Sequence, residues 1–376
     1  MIVGNPSFNK LIDNLFTKRR WASEDIVKYA GYYHSSYLLY SASDNTRSMA
    51  SSGGVVSEIL TYCMDKGIIN GALVCHARIS DGKVRPAFLI AKNHEEILSA
   101  RGSKYIETRF VSEALPLIDK FNGKLAVVGL PCDLKILSRK IKKNESFKKK
   151  IILKIGLFCG HNSKTELIDK ITKQLETEAG SQLVNFKFRI GLWRGRILAS
   201  FQNGAIIKKK TNLFNDYQNL YFFAQKKCFY CNDHFAYYSD ISAGDIWSFY
   251  LKNKPYKYNS IISRKTSSTE LIQSMIENNR LCGQLVDIRE ILDGQSRGVK
   301  LHHNLYLKSK VGKIFGVNIP VSEKNREKFK WHEFIVAWIA FFNWRWSKGP
   351  WCNLIFKAPK PLLKIYLYFL KGLQSL

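Results

Sequence analysis

The chain is short of acid. Its 376 residues carry 30 Asp plus Glu against 59 Lys plus Arg, a formal charge of +29. An excess of that size implies an anionic partner or surface (nucleic acid, acidic glycan, phosphate-bearing small molecule or anionic lipid) and says nothing about fold. No recognisable nucleic-acid-binding motif accompanies the charge, so nucleic acid is not the expected partner. Long apolar runs are missing too. The longest, Phe334 to Phe342, stops at Asn343, well short of the ~20 residues that a membrane-crossing helix needs. The first ten residues have neither a basic leader nor an apolar core of signal length. The expected location is therefore cytoplasmic, where thiols stay reduced. No internal repeat or low-complexity tract is visible, and 45% hydrophobic residues suffice for one large core or two modest ones.

Cysteine is absent from residues 1 to 62, and four of the eight cysteines that follow stand in distinctive contexts. Cys132 ends Val-Val-Gly-Leu-Pro-Cys, Cys159 ends Gly-Leu-Phe-Cys, and Cys228 and Cys231 form a Cys-Phe-Tyr-Cys pair. Residues 124 to 132 and 151 to 159 each read as a buried strand that breaks at a turn, because continuous apolar runs bounded by Gly or Pro suit a parallel sheet. Ligand sites in such sheets gather beyond the carboxyl ends of the strands, so Cys132 and Cys159 are expected to face one another there. Four thiolates are what a cubic iron-sulfur cluster requires. Tetrahedral zinc is the competing reading, and a redox dithiol is a third for the pair alone. Structural zinc sites favour two close knuckles, and here only one pair is close, so spacing favours the cluster. Cys63, Cys75, Cys282 and Cys352 have no partner at ligand spacing and read as small buried hydrophobes.

Three further strings carry candidate chemistry. Ser51, Ser52, Gly53 and Gly54 precede an apolar segment of helical period, so they either cap that helix or present its amino terminus to an anion. Arg101, Ser103, Lys104 and Tyr105 combine two cations, a hydroxyl and a ring, which suits an anionic cofactor with a flat ring and equally a solvated loop. Asp245 closes an acidic turn, Asp-Ile-Ser-Ala-Gly-Asp, where it would bind a ribose, orient a ligand residue or cap the residues after it.

Taken in order, Ser-Ser-Gly-Gly (51–54), Arg-Gly-Ser-Lys-Tyr (101–105), Val-Gly-Leu-Pro-Cys (128–132), Leu-Phe-Cys (157–159), Cys-Phe-Tyr-Cys-Asn-Asp (228–233) and Asp-Ile-Ser-Ala-Gly-Asp-Ile-Trp (240–247) resemble the motif series of the coenzyme F420 hydrogenase/dehydrogenase beta subunits. The resemblance covers roughly residues 45 to 300. It implies a mixed α/β fold that binds FAD with a 4Fe-4S cluster beside it. The cluster ligands fall on Cys132, Cys159, Cys228 and Cys231, and the flavin contacts on Ser52, Gly53, Gly54, Arg101, Ser103, Lys104, Tyr105 and Asp245. Many members begin with a ferredoxin-like segment of closely spaced cysteines. Residues 1 to 62 have none, so an external electron donor such as a ferredoxin is expected. Nothing identifies the deazaflavin itself as substrate.

The carboxyl tail is rich in aromatics and lysine, has no acid after Glu333, and is broken by Pro350, Pro359 and Pro361. Such segments fit helices lying in an anionic membrane interface, on the inner face of the cytoplasmic membrane, or else packed on the protein's own core. The expected division is an amino-terminal lead (1–45), an α/β flavin region (46–155), a cluster-binding α/β region (156–320) and an amphipathic helical tail (321–376). Within it, residues 183 to 210 form a hairpin about Gln202-Asn203-Gly204, residues 269 to 280 a helix, and His302 and His303 a polar loop. The function expected is an iron-sulfur flavoprotein oxidoreductase acting on an organic substrate. A basic, interface-seeking member without its own ferredoxin segment resembles those that accompany polysaccharide or glycoconjugate synthesis, which suggests an anionic small molecule or lipid-linked glycan. The alternative is a non-catalytic, zinc-stabilised envelope assembly protein.

Overall fold

The computed structural model describes residues 21–322 and 326–376. Residues 1–20, most of the lead's first half, lie outside the described residues. Eleven strands are present among the described residues: β1 (Ser35–Ser41), β2 (Gly71–Ser80), β3 (Lys83–Ala91), β4 (Leu125–Gly129), β5 (Ile151–Leu157), β6 (Leu183–Ile190), β7 (Arg196–Phe201), β8 (Ile206–Lys210), β9 (Ile241–Asp245), β10 (Asn259–Ser263) and β11 (Leu281–Leu285). Eight form one mixed sheet in the order β11-β1-β10-β9-β5-β4-β2-β3. Its centre is parallel, from β2 through β4 and β5 to β9, and its flanks are antiparallel.

The central strands are apolar on both sides because both faces of the sheet are covered. Ala126 points into a cluster with Val55, Ile59 and Cys63 of helix Val55–Asp65 and with Ile272 and Met275 of helix Thr266–Glu277. Its neighbours Leu125 and Val127 point the other way, against Leu134 and Leu137 of helix Pro131–Lys143. This alternation is the period of two that a pleated strand imposes.

A three-stranded antiparallel sheet, β6-β7-β8, forms the second layer. The hairpin between β7 and β8 turns at 202–205, as the Gln-Asn-Gly string predicts. Phe186, Phe188, Ile197, Ala199 and Phe201 pack against Leu167, Ile168, Ile171 and Leu175 of helix Thr165–Ala179.

The tail joins this second core. Val336, Ala337, Phe341 and Trp344 of helix Trp331–Trp346, and Leu363, Leu367, Leu370 and Leu373 of helix Lys360–Ser375, are buried in it. Buried polar groups fix the docking: Asn343 donates to the Leu220 carbonyl (2.8 Å) and accepts from the Tyr366 hydroxyl (3.0 Å). One apolar stripe of each helix thus covers the protein's own core, while Trp331, Trp351, Leu362, Ile365, Tyr368 and Phe369 remain exposed; no described helix is long and apolar enough to cross a membrane. His302 and His303 are not in a loop. They end helix Ile288–His303, which continues past Gly298 because Val299 and Leu301 have a core to enter, and His302 is buried with it.

Candidate functional site

Gly129 of β4 and Gly156 of β5 are register partners, and each is followed three residues later by a cysteine. Two adjacent parallel strands therefore deliver Cys132 and Cys159 to the same end of the sheet. Cys132 enters through the first turn of helix Pro131–Lys143, where Pro131 supplies the fixed φ of a helix start and Asp133 accepts from the Leu130 N–H (3.1 Å). The Cys159 N–H donates to the His234 carbonyl (3.0 Å), which ties the end of β5 to the loop after the cysteine pair.

The pair sits on a short 3-10 turn, Lys226–Tyr230, with Cys231 at its end. The Asn162 N–H points at the Cys228 sulfur (3.4 Å), and the Gln225 N–H donates to the Asn162 carbonyl (3.0 Å), so the loop after Cys159 holds the turn that carries Cys228. Buried Lys308 donates to the carbonyls of Cys231 (2.5 Å) and His302 (2.7 Å) and fixes the other end.

The structure brings all four cysteines into electrostatic range of one another. Burial raises the Cys159 thiol well above its ordinary value, and Cys228, Cys132 and Cys231 push it further. Cys132 is raised by burial, then by Asp133, Cys231 and Cys228. Cys228 is pushed up to about 11, burial again leading. All four are free thiols and largely buried. Among the described residues, no three His, Cys, Asp or Glu side chains gather in the way that a single metal ion requires.

Beside the cysteine group lies a cavity of about 620 Å³. Cys159 lines it, together with Ser52, Gly54, Arg101, Ser103, Lys104, Tyr105 and Asp245. Gly54, at φ +79°, is the N-cap of helix Val55–Asp65, so that helix points its amino terminus at the cavity wall. Gly53 is displaced from the expected role. A Cβ there would stand 2.8 Å from the Leu39 carbonyl and 2.9 Å from that of Lys257, so this glycine serves close packing on β1 and not ligand approach. Tyr105 packs its ring between Phe188 and Phe214.

Asp245 is already engaged. Arg189 of β6 reaches it with both guanidinium nitrogens (2.8 and 2.5 Å) and donates to the Ser51 carbonyl as well (2.5 Å). Lys257 donates to the carbonyls of Ala50 and Ser51 (2.9 and 2.8 Å), and burial lowers its ammonium to about 7. Burial likewise lowers Lys104 to about 8. Neither Arg189 nor Lys257 stands out in the sequence, since each is a lone cation in a basic chain. His161 was within reach, two residues after Cys159. Its ring stacks on Tyr221 (4.3 Å, 17°) and its Nε2 meets the Gln218 carbonyl (2.8 Å). Burial lowers it to about 4, so the imidazole is neutral.

A mixed sheet with a cysteine group and a cavity at the carboxyl ends of its parallel strands defines an α/β protein with a ligand site where such sheets place one. The comparisons with known proteins agree. Residues 36–115 match the amino-terminal domain, and residues 122–287 the carboxyl-terminal domain, of the coenzyme F420 hydrogenase/dehydrogenase beta subunit, and the chain belongs to that family. It is 32% identical over 205 residues to an uncharacterized protein of Methanocaldococcus jannaschii, covering 52% of this chain and 53% of that one. The coenzyme F420 hydrogenase subunit beta of Methanococcus voltae is 27% identical over 233 residues, 61% of this chain and 76% of that subunit. The chain thus spans about half the length of the first relative and three quarters of the second. A chain of the F420-reducing [NiFe] hydrogenase complex from Methanosarcina barkeri shares the fold, with a TM-score of 0.58 and 17% identity over 78% of this chain and 97% of that one.

Proposed function

We propose that this protein is an iron-sulfur flavoprotein oxidoreductase that takes electrons from an external donor and reduces an organic substrate. Cys132, Cys159, Cys228 and Cys231 would hold a 4Fe-4S cluster, and the cavity bounded by Ser52, Gly54, Arg101, Ser103, Lys104, Tyr105 and Asp245 would hold FAD. When bound, the cluster supplies one-electron transfer and the flavin couples it to two-electron chemistry at the substrate. The observation that carries the reading is the position of Cys159, which belongs to the cysteine group and lines the cavity too.

The chain's own residues set the conditions. The Arg189–Asp245 pair holds the Ser51–Ser52 turn against the end of β9, which fixes the cavity's floor before anything binds. Lys104 and Arg101 place positive charge beside a helix amino terminus, and both favour an anionic ring edge or pyrophosphate. Only one of the cysteine pairs is close in sequence, whereas structural zinc sites usually take two such knuckles, and this weighs against zinc. The family's hydrogenase and dehydrogenase relatives weigh against a non-catalytic assembly role.

Anaerobic purification tests the reading. Stoichiometric iron, sulfide and flavin with broad absorbance are expected, and Cys228→Ser should lose iron while retaining its fold by circular dichroism. A colourless protein holding one zinc per chain would overturn it.

A further inference from the structure

Helix Lys360–Ser375 is apolar on two sides. Leu363, Leu367, Leu370 and Leu373 enter the second core, while Leu362, Ile365 and Phe369, with Tyr368 beside them, form an outward stripe at the i, i+3, i+7 spacing of one helical face. These outward side chains are 55 to 65% exposed, and none joins the core that the helix covers. A helix on the surface of a water-soluble domain ordinarily turns polar residues outward. Helix Thr165–Ala179, which packs on the same core, does so: its exposed positions are Glu166, Lys173, Gln174, Thr177 and Glu178. The outward stripe of the tail helix is a patch, not the ordinary scatter of single exposed apolar side chains.

Positive charge borders this stripe. Lys360 and Lys364, four residues apart and both exposed, stand on one flank, and Lys371 further along holds its ammonium over the Tyr368 ring (5.4 Å). The chain has no Asp or Glu after Glu333, so the helix carries no acid of its own. Acids on the helices packed against it are turned to other partners. Asp216 is half-buried and feels Lys371 and Lys364. Asp293 accepts from the Trp21 indole N–H (2.7 Å), Glu290 from the Tyr250 hydroxyl, and Glu333 from the Lys330 N–H (2.8 Å).

The chemistry of the stripe suits lipid better than protein. Between Leu362 and Phe369 its exposed side chains, the lysine aside, offer a partner one hydrogen-bonding group, the Tyr368 hydroxyl. A protein interface carries about one hydrogen bond per 100–200 Å². At the far end of the helix His332 Nδ1 meets the Leu373 carbonyl (3.0 Å), which sets Trp331, 66% exposed, beside it. Aliphatic side chains along the face, Tyr and Trp at its edges and lysine on the flank make up a helix that lies in a membrane interface.

We propose that helix Lys360–Ser375 docks this protein on an anionic bilayer surface, with Leu362, Ile365 and Phe369 entering the acyl boundary and Lys360 and Lys364 meeting the lipid phosphates. Leu367 and Lys371 of the same helix line the cavity, so docking holds the cavity beside the membrane. The binding needs neither cluster nor flavin and stands apart from the redox reading.

Flotation of the purified full chain with lipid vesicles tests the assignment. Binding is expected to phosphatidylcholine vesicles that contain phosphatidylglycerol, and at least about tenfold weaker binding to pure phosphatidylcholine, since each lysine near an anionic surface contributes about fivefold. Lys360→Gln combined with Lys364→Gln should weaken binding to the anionic vesicles about twentyfold. Ile365→Ser combined with Phe369→Ser should weaken it at least about tenfold and leave the thermal melt unchanged, because neither side chain enters the core. No binding to either vesicle, equal binding to both, or no response to the two double substitutions would overturn the proposal. A chain that ignores vesicles and is dimeric by light scattering until Ile365→Ser with Phe369→Ser separates it would give this face to a second copy instead.

Discussion

Arg189 and Asp245 form a bidentate ion pair that joins the two sheets of the molecule at the floor of the cavity. Arg189 comes from β6 of the small sheet, and Asp245 ends β9 of the large one. The arginine side chain is 2% exposed and the carboxylate 23%. Removing one member of such a pair leaves the other inside without a counter-charge. Arg189→Met should cost about 3 kcal/mol in urea unfolding, with Asp245→Asn costing less because its site is wetter. Arg189→Lys should recover little, since one ammonium cannot reproduce the fork that spans Asp245 and the Ser51 carbonyl.

Lys257 gives the protein a pH signature. Its ammonium is lowered from 10.5 to about 7, chiefly by burial and then by Arg189. The folded chain therefore holds fewer protons than the unfolded one between those values, and stability rises with pH across the interval from about 7 to about 10. Below the folded value both states are charged and this contribution to the slope vanishes. Unfolding midpoints measured across that window should rise, and Lys257→Met should flatten the rise. Lys104, lowered to about 8, leaves a residual slope in the upper part of the window.

Gly156 is a packing hinge for the cysteine group. A Cβ there would come within 2.3 Å of the Ala236 Cβ and 3.0 Å of that of Ser239, both in the loop that follows the Cys228–Cys231 turn. Gly156→Ala should cost about 1–3 kcal/mol by overpacking and, with the proposed cluster on these cysteines, lower the iron content by pushing that loop outward. Unchanged iron content would show that the loop yields without moving the cysteines.

Phe341 links the tail to the site. It is fully buried and stacks on Phe229, the residue after Cys228, with ring centroids 4.1 Å apart. Phe341→Ala should cost about 3–5 kcal/mol and loosen the turn between the two cysteines, seen with the proposed cluster as faster loss of iron to a chelator. Leu362→Ser, on the exposed side of the tail, should change neither, because its side chain touches no core.

The four cysteines, the strands that deliver the first two, the serine-glycine turn before a helix and the hairpin about Asn203 were all legible in the sequence. Each is a local signal: an apolar run cut by Gly or Pro, a Cys-x-x-Cys spacing, a turn string between alternating segments. The basic surplus was legible as well, as a demand for an anionic partner. Tertiary structure decided what locality cannot. It gave Gly53 to the packing of β1, engaged Asp245 with an arginine 56 positions away, and turned one stripe of each tail helix inward onto the second core. Side-chain type and spacing fix which contacts a segment can make, but only the crossing of distant segments fixes which of its two faces meets protein and which meets water.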